Sequence, residues 1–485
     1  MNKRINIYEE ANRCLLCQDP PCSKACKTGD PARAIRAIRF DNHKPALQWV
    51  KDCSDADLER AEQACIHYNW PIHIKEILRS ISPDDVDNSH YPDLNITFCG
   101  IQCENPFFLA SSAVCTNYEM VAKAFDAGWA GVFYKTICLQ EIREVSPRFD
   151  AMHIDATHGD FYGFRNMEQL SENPVEMDLD ILHRLKQNYP TKVVIASIMG
   201  QTEEQWTKLA KMAEDAGCDA VELNFSCPQM KYEGMGSDVG QNPELVNIYT
   251  ACVKSSVRIP VISKMTPNIT HVVEPAEASL QAGADAISAI NTIKSVTMDV
   301  DAEVKGQRTI SGYSGRAIRP IALRHILELS QMPSKRELSG VGGIETWRDA
   351  LEYIQLGCRN VQVCTSVMQY GYRIIDDLIL GLKRYMAKNG INELSQLVGE
   401  HITKFLKPIY LDSETISYPK FNRELCIGCG RCQISCSDGG HQALVFDSET
   451  RQPRLIGSKC VGCHLCRLIC PTGAIGVSKR VTKKK

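Results

Sequence analysis

The sequence lacks the features that would place the protein in a membrane, on nucleic acid or outside the cell. No apolar stretch approaches the roughly 20 residues that a membrane-spanning helix needs. The net charge is only −3, from 55 basic and 58 acidic residues, so no strong attraction to nucleic acid or to a membrane surface is expected. The first residues, MNKRINIYEEANRC, contain no apolar core of a signal peptide. We therefore expect a cytoplasmic protein with neither nucleic acid nor membrane as a partner.

Cysteine, in contrast, is abundant: the chain has 23, and eight of them lie in two runs of the form C-x2-C-x2-C-x3-C. The runs are Cys426, Cys429, Cys432, Cys436 and Cys460, Cys463, Cys466, Cys470. This spacing is typical of a ferredoxin-type domain with two [4Fe–4S] clusters, in which the fourth cysteine of each run binds the other cluster. We predict that Cys470 completes the first cluster and Cys436 the second. Structural zinc favours well-separated C-x2-C pairs and disulfides require an oxidising compartment, so neither explains the pattern as well.

The central part of the chain alternates short apolar runs with longer amphipathic segments such as Glu203–Ala216 and Pro243–Ser255. The predicted strands are Phe107–Ala113, Gly131–Thr136, Lys192–Met199, Ala220–Ser226, Ile259–Thr266, Ala286–Thr292, Leu338–Ile344 and Asn360–Val367. Eight βα units predict an α/β fold, a closed (β/α)8 barrel (TIM barrel) with a buried parallel sheet. The doubly wound alternative needs a G-x-G-x-x-G turn after a strand, and the sequence has none in that setting.

A chain of 485 residues is long enough for two to four domains. We predict a small cysteine-rich α-helical segment at 1–92, the barrel at 93–389, a linker at 390–419, the ferredoxin-type domain at 420–478 and a basic tail at 479–485.

In such barrels the active site lies at the C-terminal ends of the strands. Those ends carry Ser111, Lys135, Thr136, Asn224, Ser226, Cys227, Lys264, Asn291, Thr292, Gly342, Gly343, Cys364 and Thr365. Two strands end in lysine, and a buried ammonium group needs a partner, which favours an anionic ligand. The alternative is a lysine stem that lies on apolar surface with its ammonium group in water. The turn GVGGI after the seventh predicted strand is where such barrels hold a phosphate on backbone N–H groups.

Several motifs at the strand ends resemble those of a known group of flavoproteins. They are NPFFLAS at Asn105–Ser111, YKT at Tyr134–Thr136, NFSCP at Asn224–Pro228, SKMTPN at Ser263–Asn268, AINT at Ala289–Thr292 and SGVGGI at Ser339–Ile344. These resemble the flavin barrel of dihydroorotate and dihydropyrimidine dehydrogenases. With SGYSGRAIRPIALR, GIETW and the ferredoxin-type module, the chain is most similar to the pyrimidine-reducing subunits of bacterial NAD-dependent dihydropyrimidine dehydrogenases. The resemblance extends from about Leu94 to Val477.

The resemblance implies a set of cofactor and substrate contacts. FMN is expected on Ser111, Lys135, Thr136, Lys264, Ser314 and Gly315, with its phosphate on Gly342, Gly343, Ile344, Cys364 and Thr365. The pyrimidine is expected on Asn166, Glu168, Leu170, Asn224, Ser226, Asn291 and Thr292. Asparagine suits this task because a carboxamide offers a donor and an acceptor to the alternating N–H and C=O groups of uracil.

The resemblance also places Cys227 at the general acid/base position of the family. The implied reaction interconverts uracil or thymine with the 5,6-dihydro form, with hydride passing between FMN N5 and C6 and a proton required at C5. A thiol with a pKa near ~8.5 can donate that proton and, as a thiolate, take it back. The alternative is a buried structural cysteine, but the position of Cys227 after an apolar strand favours catalysis. The glycine-containing loop Gln229–Asn242 is predicted to close over the substrate.

The chain lacks a nicotinamide site, although FMN suits the exchange of electrons between clusters and substrate. Without a G-x-G-x-x-G fingerprint, the chain is not expected to oxidise NADH unaided. The resemblance implies a second subunit that binds FAD and NAD. We also expect an oligomer, because barrels that share electrons between subunits commonly associate.

The N-terminal segment contains six further cysteines. CLLCQDPPCSKAC places Cys14, Cys17, Cys22 and Cys26 at C-x2-C-x4-C-x3-C, followed by Cys53 and Cys65. This start resembles the N-terminal cluster domain of full-length dihydropyrimidine dehydrogenases and of the glutamate synthase small subunit. The last two cysteines do not reproduce that spacing, so the ligand set is left open, with Cys14, Cys17, Cys22 and Cys26 as the candidate ligands. A third iron–sulfur cluster is favoured over zinc in a cluster-rich chain, and helices are expected at Asp30–Phe40 and Asp55–Tyr68.

Two other functions compete with pyrimidine reduction. The first is a dihydroorotate dehydrogenase or another cyclic-amide dehydrogenase, in which the acidic side chain of Glu168 would repel the carboxylate of orotate. The second is a non-catalytic, ferredoxin-like electron carrier whose barrel only docks other redox proteins. The chemically specific residues at the strand ends disfavour the second.

Overall fold

The computed structural model describes residues 6–67, 69–82, 91–153, 161–230, 232–296, 309–334 and 336–483. The chain forms two compact units. One consists of residues 7–403, and the other begins at Lys404.

The first unit contains the predicted barrel. Its strands are β3 (Phe107–Leu109), β4 (Gly131–Phe133), β7 (Val193–Ile198), β8 (Ala220–Asn224), β9 (Val261–Lys264), β10 (Ala286–Ala289), β13 (Glu337–Val341) and β14 (Cys358–Val363). They are parallel and close in the order β10-β13-β14-β3-β4-β7-β8-β9. Nearly every strand residue is buried, because helices cover the outside and side chains fill the interior. Each observed strand overlaps a predicted one, so the barrel prediction is confirmed.

Helices connect the strands and bury one face each against the sheet. They are α6 (Tyr118–Ala127), α7 (Val175–Asn188), α8 (Glu203–Asp215), α9 (Ser237–Gly240), α10 (Pro243–Lys254), α11 (Val273–Gln281), α12 (Arg319–Ser330), α13 (Trp347–Gln355), α14 (Thr365–Tyr370) and α15 (Ile375–Lys388). Polar N-caps set several starts: the Thr202 side chain accepts from the N–H of Gln205, and Asn242 accepts from the N–H of Leu245. Such a cap typically stabilises a helix by about 1 kcal/mol.

An antiparallel sheet that the sequence did not predict joins two distant connections of the barrel. Its strands are β5 (Phe149–His153), β6 (Phe161–Asn166), β11 (Ile293–Ser295) and β12 (Ser311–Ser314), in the order β11-β12-β6-β5. The pairing of β12 with β6 places Gly312 opposite Asn166. A short hairpin of β1 (Ile96–Phe98) and β2 (Ile101–Cys103) precedes the barrel.

The N-terminal segment is helical, as predicted, and packs on the barrel. Its helices are α1 (Ile7–Asn12), α2 (Pro21–Ala25), α3 (Pro31–Arg39), α4 (Asp55–Gln63) and α5 (Ile74–Arg79). Tyr68, at the end of the second predicted helix, lies outside the described residues. Arg36 donates to the buried Asp377 carboxylate at 2.8 Å, and the Asn42 side chain donates to the Asp377 carbonyl at 2.8 Å. Within the predicted linker, Leu394 and Leu397 are buried in the barrel core.

The second unit is a small repeat of hairpins and short helices. Its elements are β15 (Thr415–Ile416), β16 (Pro419–Phe421), α16 (Arg431–Gly439), β17 (Leu444–Asp447), β18 (Gln452–Leu455), α17 (Leu465–Leu468), β19 (Ile475–Val477) and β20 (Val481–Thr482). The strands pair as β15-β20, β16-β19 and β17-β18. The core of this unit contains Cys432, Leu444, Cys466 and Ile475. One cysteine of each run therefore packs at its centre.

Candidate active site

A cavity of about 960 Å³, partly open to solvent, lies at the C-terminal ends of the barrel strands. Of the residues predicted for cofactor, substrate and catalysis, it is lined by Ser111, Lys135, Thr136, Asn166, Glu168, Asn224, Cys227, Lys264, Asn291, Thr292, Ser314, Gly315, Gly342, Gly343, Ile344, Cys364 and Thr365. Residues from seven of the eight strand ends, all except that of β7, thus meet with the antiparallel sheet around one space.

Two residues predicted to contact substrate do not line this cavity. Leu170 is 1% exposed and packs in the apolar core. Ser226 is fully buried and lies behind the wall, where its hydroxyl contacts the side chains of Asn224 and Asn291. The β strand ends at Asn224, so the backbone turns before Ser226. Ser226 therefore orients neighbours that line the cavity.

A chain of hydrogen bonds holds the polar side chains of the wall. Asn291 Nδ2 donates to Ser226 Oγ at 2.9 Å, and Ser226 Oγ donates to Asn224 Oδ1 at 2.7 Å. Asn224 Nδ2 donates to Thr136 Oγ1 at 2.9 Å, and Thr136 contacts the hydroxyl of Ser111 at 3.0 Å. Each carboxamide has two donor hydrogens and an oxygen with two lone pairs, so both asparagines keep capacity for a ligand. The chain of bonds fixes their orientation before a ligand arrives.

Both strand-end lysines are paired with carboxylates of this chain. Lys135 Nζ lies 2.8 Å from Glu168 Oε1, and Lys264 Nζ lies 3.5 Å from Glu222 Oε1. All four side chains are at most 10% exposed. Burial of the ammonium groups therefore does not by itself require an anionic ligand, which corrects that step of the sequence argument. The carboxylate partners lie 33 and 42 residues away in the sequence, so the pairing could not be predicted from the sequence.

Two consecutive glycines with positive φ form the turn after β13. Gly342 and Gly343 have φ values of 129° and 69°, which L side chains rarely adopt. A Cβ atom on Gly343 would lie 2.8 Å from the Gly315 carbonyl oxygen and 2.9 Å from Arg319 Cβ. Ser314 and Thr365, on opposite sides of this turn, have hydroxyls 3.0 Å apart. Consecutive residues in such a turn can direct backbone N–H groups toward one anion.

Cys227 lies on the cavity wall three residues after the end of β8 and is 6% exposed. Burial raises the pKa of its thiol to about 11, partly opposed by the backbone N–H of Gln229 and by the charges of Lys135 and Lys264. At neutral pH the group is therefore a protonated thiol. The neutral thiol is suited to donating a proton. To accept a proton it must first become a thiolate, which forms at a higher pH than for an ordinary cysteine.

Several polar side chains of the site were missed from the sequence. Gln362, inside β14, lines the cavity and donates to the hydroxyls of Ser288 and Ser339 at 3.0 and 2.8 Å. Glu222, inside β8, accepts from Ser197 Oγ at 3.1 Å and is fully buried. A signal was present, since a polar residue interrupts each otherwise apolar strand in AVELN and NVQVC. Buried polar groups of this kind need internal partners and often mark a functional interior.

The loop predicted to close over substrate packs against the cavity. The N–H of Ser237 donates to the Cys227 carbonyl at 2.9 Å, and Met235 is 1% exposed. Gln229 lines the cavity and bonds the segment after β6, where its Nε2 donates to the Glu168 carbonyl at 2.9 Å. Closure of this loop stays a prediction.

The N-terminal cysteines separate into two groups. Cys14, Cys17, Cys22 and Cys65 line one cavity of about 440 Å³. Cys26 does not line it: its Sγ atom is 3.2 Å from Cys53 Sγ, and both residues are buried. The short helix α2 ends before Cys26 and directs it away, whereas α4 delivers Cys65. Sequence reasoning grouped Cys26 with the first three because it follows them closely.

In the second unit, Cys436, Cys460, Cys463 and Cys466 line one cavity of about 360 Å³. This is the grouping predicted for the second cluster, with Cys436 coming from the other run. Burial raises the pKa of the Cys466 thiol to about 11, and the charges of Cys463, Cys432 and Cys436 add to the shift. Cys432 and Cys436 belong to the other run, so the two runs lie close to each other. Burial raises the pKa of Cys432, and the nearby charges of Cys429 and Cys426 add to the shift.

Across the described ranges, no three Cys, His, Asp or Glu side chains converge closely enough to hold a single metal ion. A [4Fe–4S] cluster does not require that convergence, because each thiolate binds a different iron atom.

Comparison with known protein families accounts for this architecture. The model of the family described as dihydroorotate dehydrogenase matches residues 93–386, which is most of the chain. The chain belongs to this family. A second model, described as a 4Fe–4S dicluster domain, matches residues 420–477. Membership makes the chain an oxidoreductase, and the two matches imply a flavin and iron–sulfur as its redox groups. Residues 1–92 lie outside both models.

Relatives of known function extend the match. The chain is 50% identical over 391 residues to the NAD-dependent dihydropyrimidine dehydrogenase subunit PreA of Escherichia coli K12, covering 79% of this chain and 95% of that protein. It is 38% identical over 333 residues to the chloroplastic dihydropyrimidine dehydrogenase (NADP(+)) of Arabidopsis thaliana, covering 65% of this chain and 78% of that protein. It is 32% identical over 313 residues to the catalytic subunit of dihydroorotate dehydrogenase B (NAD(+)) of Thermoplasma volcanium, covering 64% and 99%.

A solved structure of dihydroorotate dehydrogenase from Eimeria tenella, in complex with ferulenol, shares the fold. Its TM-score is 0.55 at 18% identity, covering 65% of this chain and 91% of that one. None of the helices in the described part of the chain is long and apolar enough to cross a membrane.

Proposed function

We propose that the chain interconverts uracil or thymine with 5,6-dihydrouracil or 5,6-dihydrothymine, using FMN and iron–sulfur clusters. The observation that carries the proposal is that the Cys227 thiol lines the same cavity as Asn224 and Asn291, which the buried hydroxyl of Ser226 joins from behind the wall. Two of the relatives that support it are named dihydropyrimidine dehydrogenases.

FMN fits the residues on the floor of the cavity. The two-glycine turn at Gly342 and Gly343 lines the cavity, and a Cβ on Gly343 would press against Gly315 and Arg319, so a close-packed glycine backbone is what this turn offers a phosphate. Lys135 and Lys264 provide donors close to the strand ends. Gln362 Oε1 is buried there without a hydrogen-bond partner in the described residues, so it is available to a ring N–H. The remaining proposed FMN contacts line the same cavity. They are Ser111, Thr136, Ser314, Gly315, Ile344, Cys364 and Thr365.

FMN, when bound, supplies hydride to C6 of the pyrimidine and exchanges single electrons with clusters. The chain supplies the proton. Because its pKa is raised to about 11, Cys227 is protonated at neutral pH and can donate from sulfur to C5. Hydride at C6 and a proton at C5 together saturate the double bond. Water then restores the thiol, and the reverse reaction requires the thiolate.

The asparagine side chains are proposed to orient the substrate. Asn224 and Asn291 are held by partners in the protein. Asn224 retains a donor hydrogen, because its Oδ1 already accepts from the N–H and the hydroxyl of Ser226, whereas Asn291 retains a donor hydrogen and a lone pair. Asn166 and Thr292 extend the polar wall on the antiparallel sheet. A flat ring with alternating N–H and C=O groups can use both kinds of group at once.

The cavity disfavours a substrate with a carboxylate, such as dihydroorotate. Among the described lining residues the cations are Lys135 and Lys264, and each already pairs with a carboxylate. The pairing also neutralises Glu168, so repulsion by that residue contributes less than the sequence suggested. Desolvating a carboxylate without an available cation is costly. A neutral cyclic diamide has no such cost.

The test is an anaerobic titration of the flavin-loaded chain. Uracil should shift the flavin absorbance spectrum, whereas orotate should not. A shift with orotate and none with uracil would transfer the activity to dihydroorotate. If denaturing the protein releases no yellow chromophore, the electron-carrier alternative would be supported instead.

Electrons are proposed to arrive through the ferredoxin-type unit and a partner subunit that binds FAD and NAD. The grouping of Cys436 with Cys460, Cys463 and Cys466 supports two [4Fe–4S] clusters, the other held by Cys426, Cys429, Cys432 and Cys470. The Escherichia coli relative is named a subunit of an NAD-dependent enzyme. The isolated chain should therefore reduce uracil with an artificial donor but be inert with NADH. Rapid turnover with NADH would remove the need for a partner.

A third cluster is proposed in the N-terminal segment, with Cys14, Cys17, Cys22 and Cys65 as ligands. Cys65 replaces Cys26 of the earlier candidate set because only Cys65 lines the cavity. Arg39 donates to the Cys14 carbonyl at 2.8 Å, and Arg373 donates to the Cys17 carbonyl at 3.3 Å, so cations hold the loop that carries three of the ligands. Iron analysis tests this: about twelve irons per chain indicate three clusters and about eight indicate two.

A further inference from the structure

Gln229 lies on the cavity wall, two residues after Cys227, and its carboxamide has a defined orientation. Nε2 donates to the carbonyl oxygen of Asn166 at 3.2 Å and to that of Glu168 at 2.9 Å. Backbone carbonyls only accept, so the –NH2 group must face them and the amide cannot be reversed. The side-chain oxygen consequently faces away from this backbone.

That oxygen is a buried acceptor for which the described residues provide no donor. Gln229 Oε1 has no hydrogen-bond partner in the described part of the chain. Its surroundings are the corner formed by Thr292 and Gly312: a Cβ atom on Gly312 would lie 3.4 Å from Gln229 Oε1 and 2.2 Å from Thr292 Oγ1. A residue larger than glycine would therefore fill this corner. Buried polar groups in proteins are nearly always paired, so a missing donor points to a ligand.

The donor is expected to belong to the substrate. Gln229 is adjacent in sequence to the thiol region and contacts the segment that carries Asn166, on the side of the cavity formed by the antiparallel sheet and the loop 229–242. The proposed FMN contacts lie at the strand ends and the two-glycine turn. A cyclic diamide presents ring N–H groups, which match an acceptor.

We infer that Gln229 is a specificity-determining residue whose Oε1 accepts a ring N–H of the pyrimidine, while its –NH2 group anchors the loop to the segment 166–168. This inference rests on the proposed function. It assigns a role to a residue outside the set predicted from the motifs, and it predicts selectivity against rings that lack the N–H in question.

The experiment combines variants with N-methylated substrates. Uracil, 1-methyluracil and 3-methyluracil are titrated into the flavin-loaded chain, and binding is measured from the flavin spectrum together with kcat/KM. The unsubstituted chain should bind one of the methylated rings at least ~10-fold more weakly than uracil, the effect of one lost hydrogen bond. Gln229→Leu should weaken uracil binding by a similar factor and bring the uracil-to-methyluracil ratio for that ring close to one.

Gln169→Leu is the matched control. Gln169 also lines the cavity and has a buried side-chain oxygen. The control should keep the selectivity of the unsubstituted chain. Loss of selectivity in Gln169→Leu, with Gln229→Leu unaffected, would overturn the inference in favour of Gln169.

The outcomes separate this inference from the proposed function. If no pyrimidine shifts the flavin spectrum of the unsubstituted chain, the proposed function fails. If uracil binds and Gln229→Leu keeps the full selectivity ratio, only the inference fails. Gln229→Met, similar in length and without the acceptor, provides the same measurement should the leucine variant lose its flavin.

Discussion

The barrel cavity and the two cysteine regions differ in how their functional groups are held. In the barrel, Asn291, Ser226, Asn224 and Thr136 hydrogen-bond one another, and each lysine has a carboxylate. In the cysteine regions the thiols surround small cavities, and few polar contacts hold them; Cys436 Sγ accepts from the N–H of Ala443 at 3.3 Å. The barrel site is therefore pre-organised by the protein, whereas cluster binding itself must stabilise the cysteine sites. Substitutions in the barrel should therefore affect the reaction at the substrate, and substitutions in the cysteine regions should affect the delivery of electrons to the flavin.

The largest effect is expected at the thiol of the barrel. Cys227→Ala should lower kcat for uracil reduction by about 10²–10⁴-fold, the usual contribution of a general acid, because no other proton donor replaces it. Flavin and iron content should not change, since the hydrogen-bonded wall remains. Cys218→Ala, which removes a buried thiol away from the cavity, is the matched control and should keep turnover. Full activity in Cys227→Ala would exclude the cysteine from the mechanism.

Substitution of a proposed cluster ligand in the ferredoxin-type unit should impair electron delivery to the flavin and leave the reaction between flavin and uracil intact. Cys463→Ser is suitable because Cys463 is exposed, so the change disturbs packing little. We expect a loss of about four irons per chain and of turnover with one-electron donors. Photoreduced flavin should still reduce uracil in a single turnover. If the single turnover is lost too, the separation between the two regions does not hold.

The N-terminal region gives a smaller and more selective effect. Cys65→Ser should lower the iron content by about four per chain, and Cys26→Ser should not, because only Cys65 lines the cavity. Iron analysis and electron paramagnetic resonance of the reduced protein measure both. Equal iron in the two variants would mean that the cavity does not define the ligand set.

The smallest effect concerns pH. The neutral thiol is the proton donor, and its pKa is raised to about 11 by burial, so the donor form persists well above pH 9. The rate of uracil reduction in single turnovers should therefore be nearly constant from pH 7 to 9, whereas dihydrouracil oxidation, which needs the thiolate, should rise across that range. A fall in the rate of uracil reduction centred near pH ~8.5 would indicate that Cys227 has the pKa of an unperturbed cysteine.

Prediction from sequence succeeded where local pattern determines structure. Continuous apolar runs identified all eight barrel strands, because a strand buried on both faces has few polar residues. The observed strands are shorter: β3 ends at Leu109 although Ala113 was the predicted end, since the last residues leave the ladder to line the cavity. Strand ends also located Lys135, Asn224 and Cys227, because parallel strands present their carboxyl ends at one edge.

Prediction failed where the partner lies far along the chain. Strands β6 and β12 pair across more than 140 residues, and no local signal records that pairing. Ser226 and Leu170 follow apolar runs like their neighbours, yet one lies behind the wall and the other in the core. Gln229 was assigned only to a loop, because nothing local shows that two distant carbonyls orient its amide.

The sequence by itself determined the barrel, the repeated cysteine spacing and the position of the thiol, because hydrophobic period and residue spacing are local properties. Tertiary structure alone decided which carboxylates pair with the strand-end lysines, which cysteine joins Cys14, Cys17 and Cys22, and that Gln229 Oε1 has no donor among the described residues. These outcomes depend on contacts between segments far apart in the chain, where distance and burial set the energy and sequence separation does not.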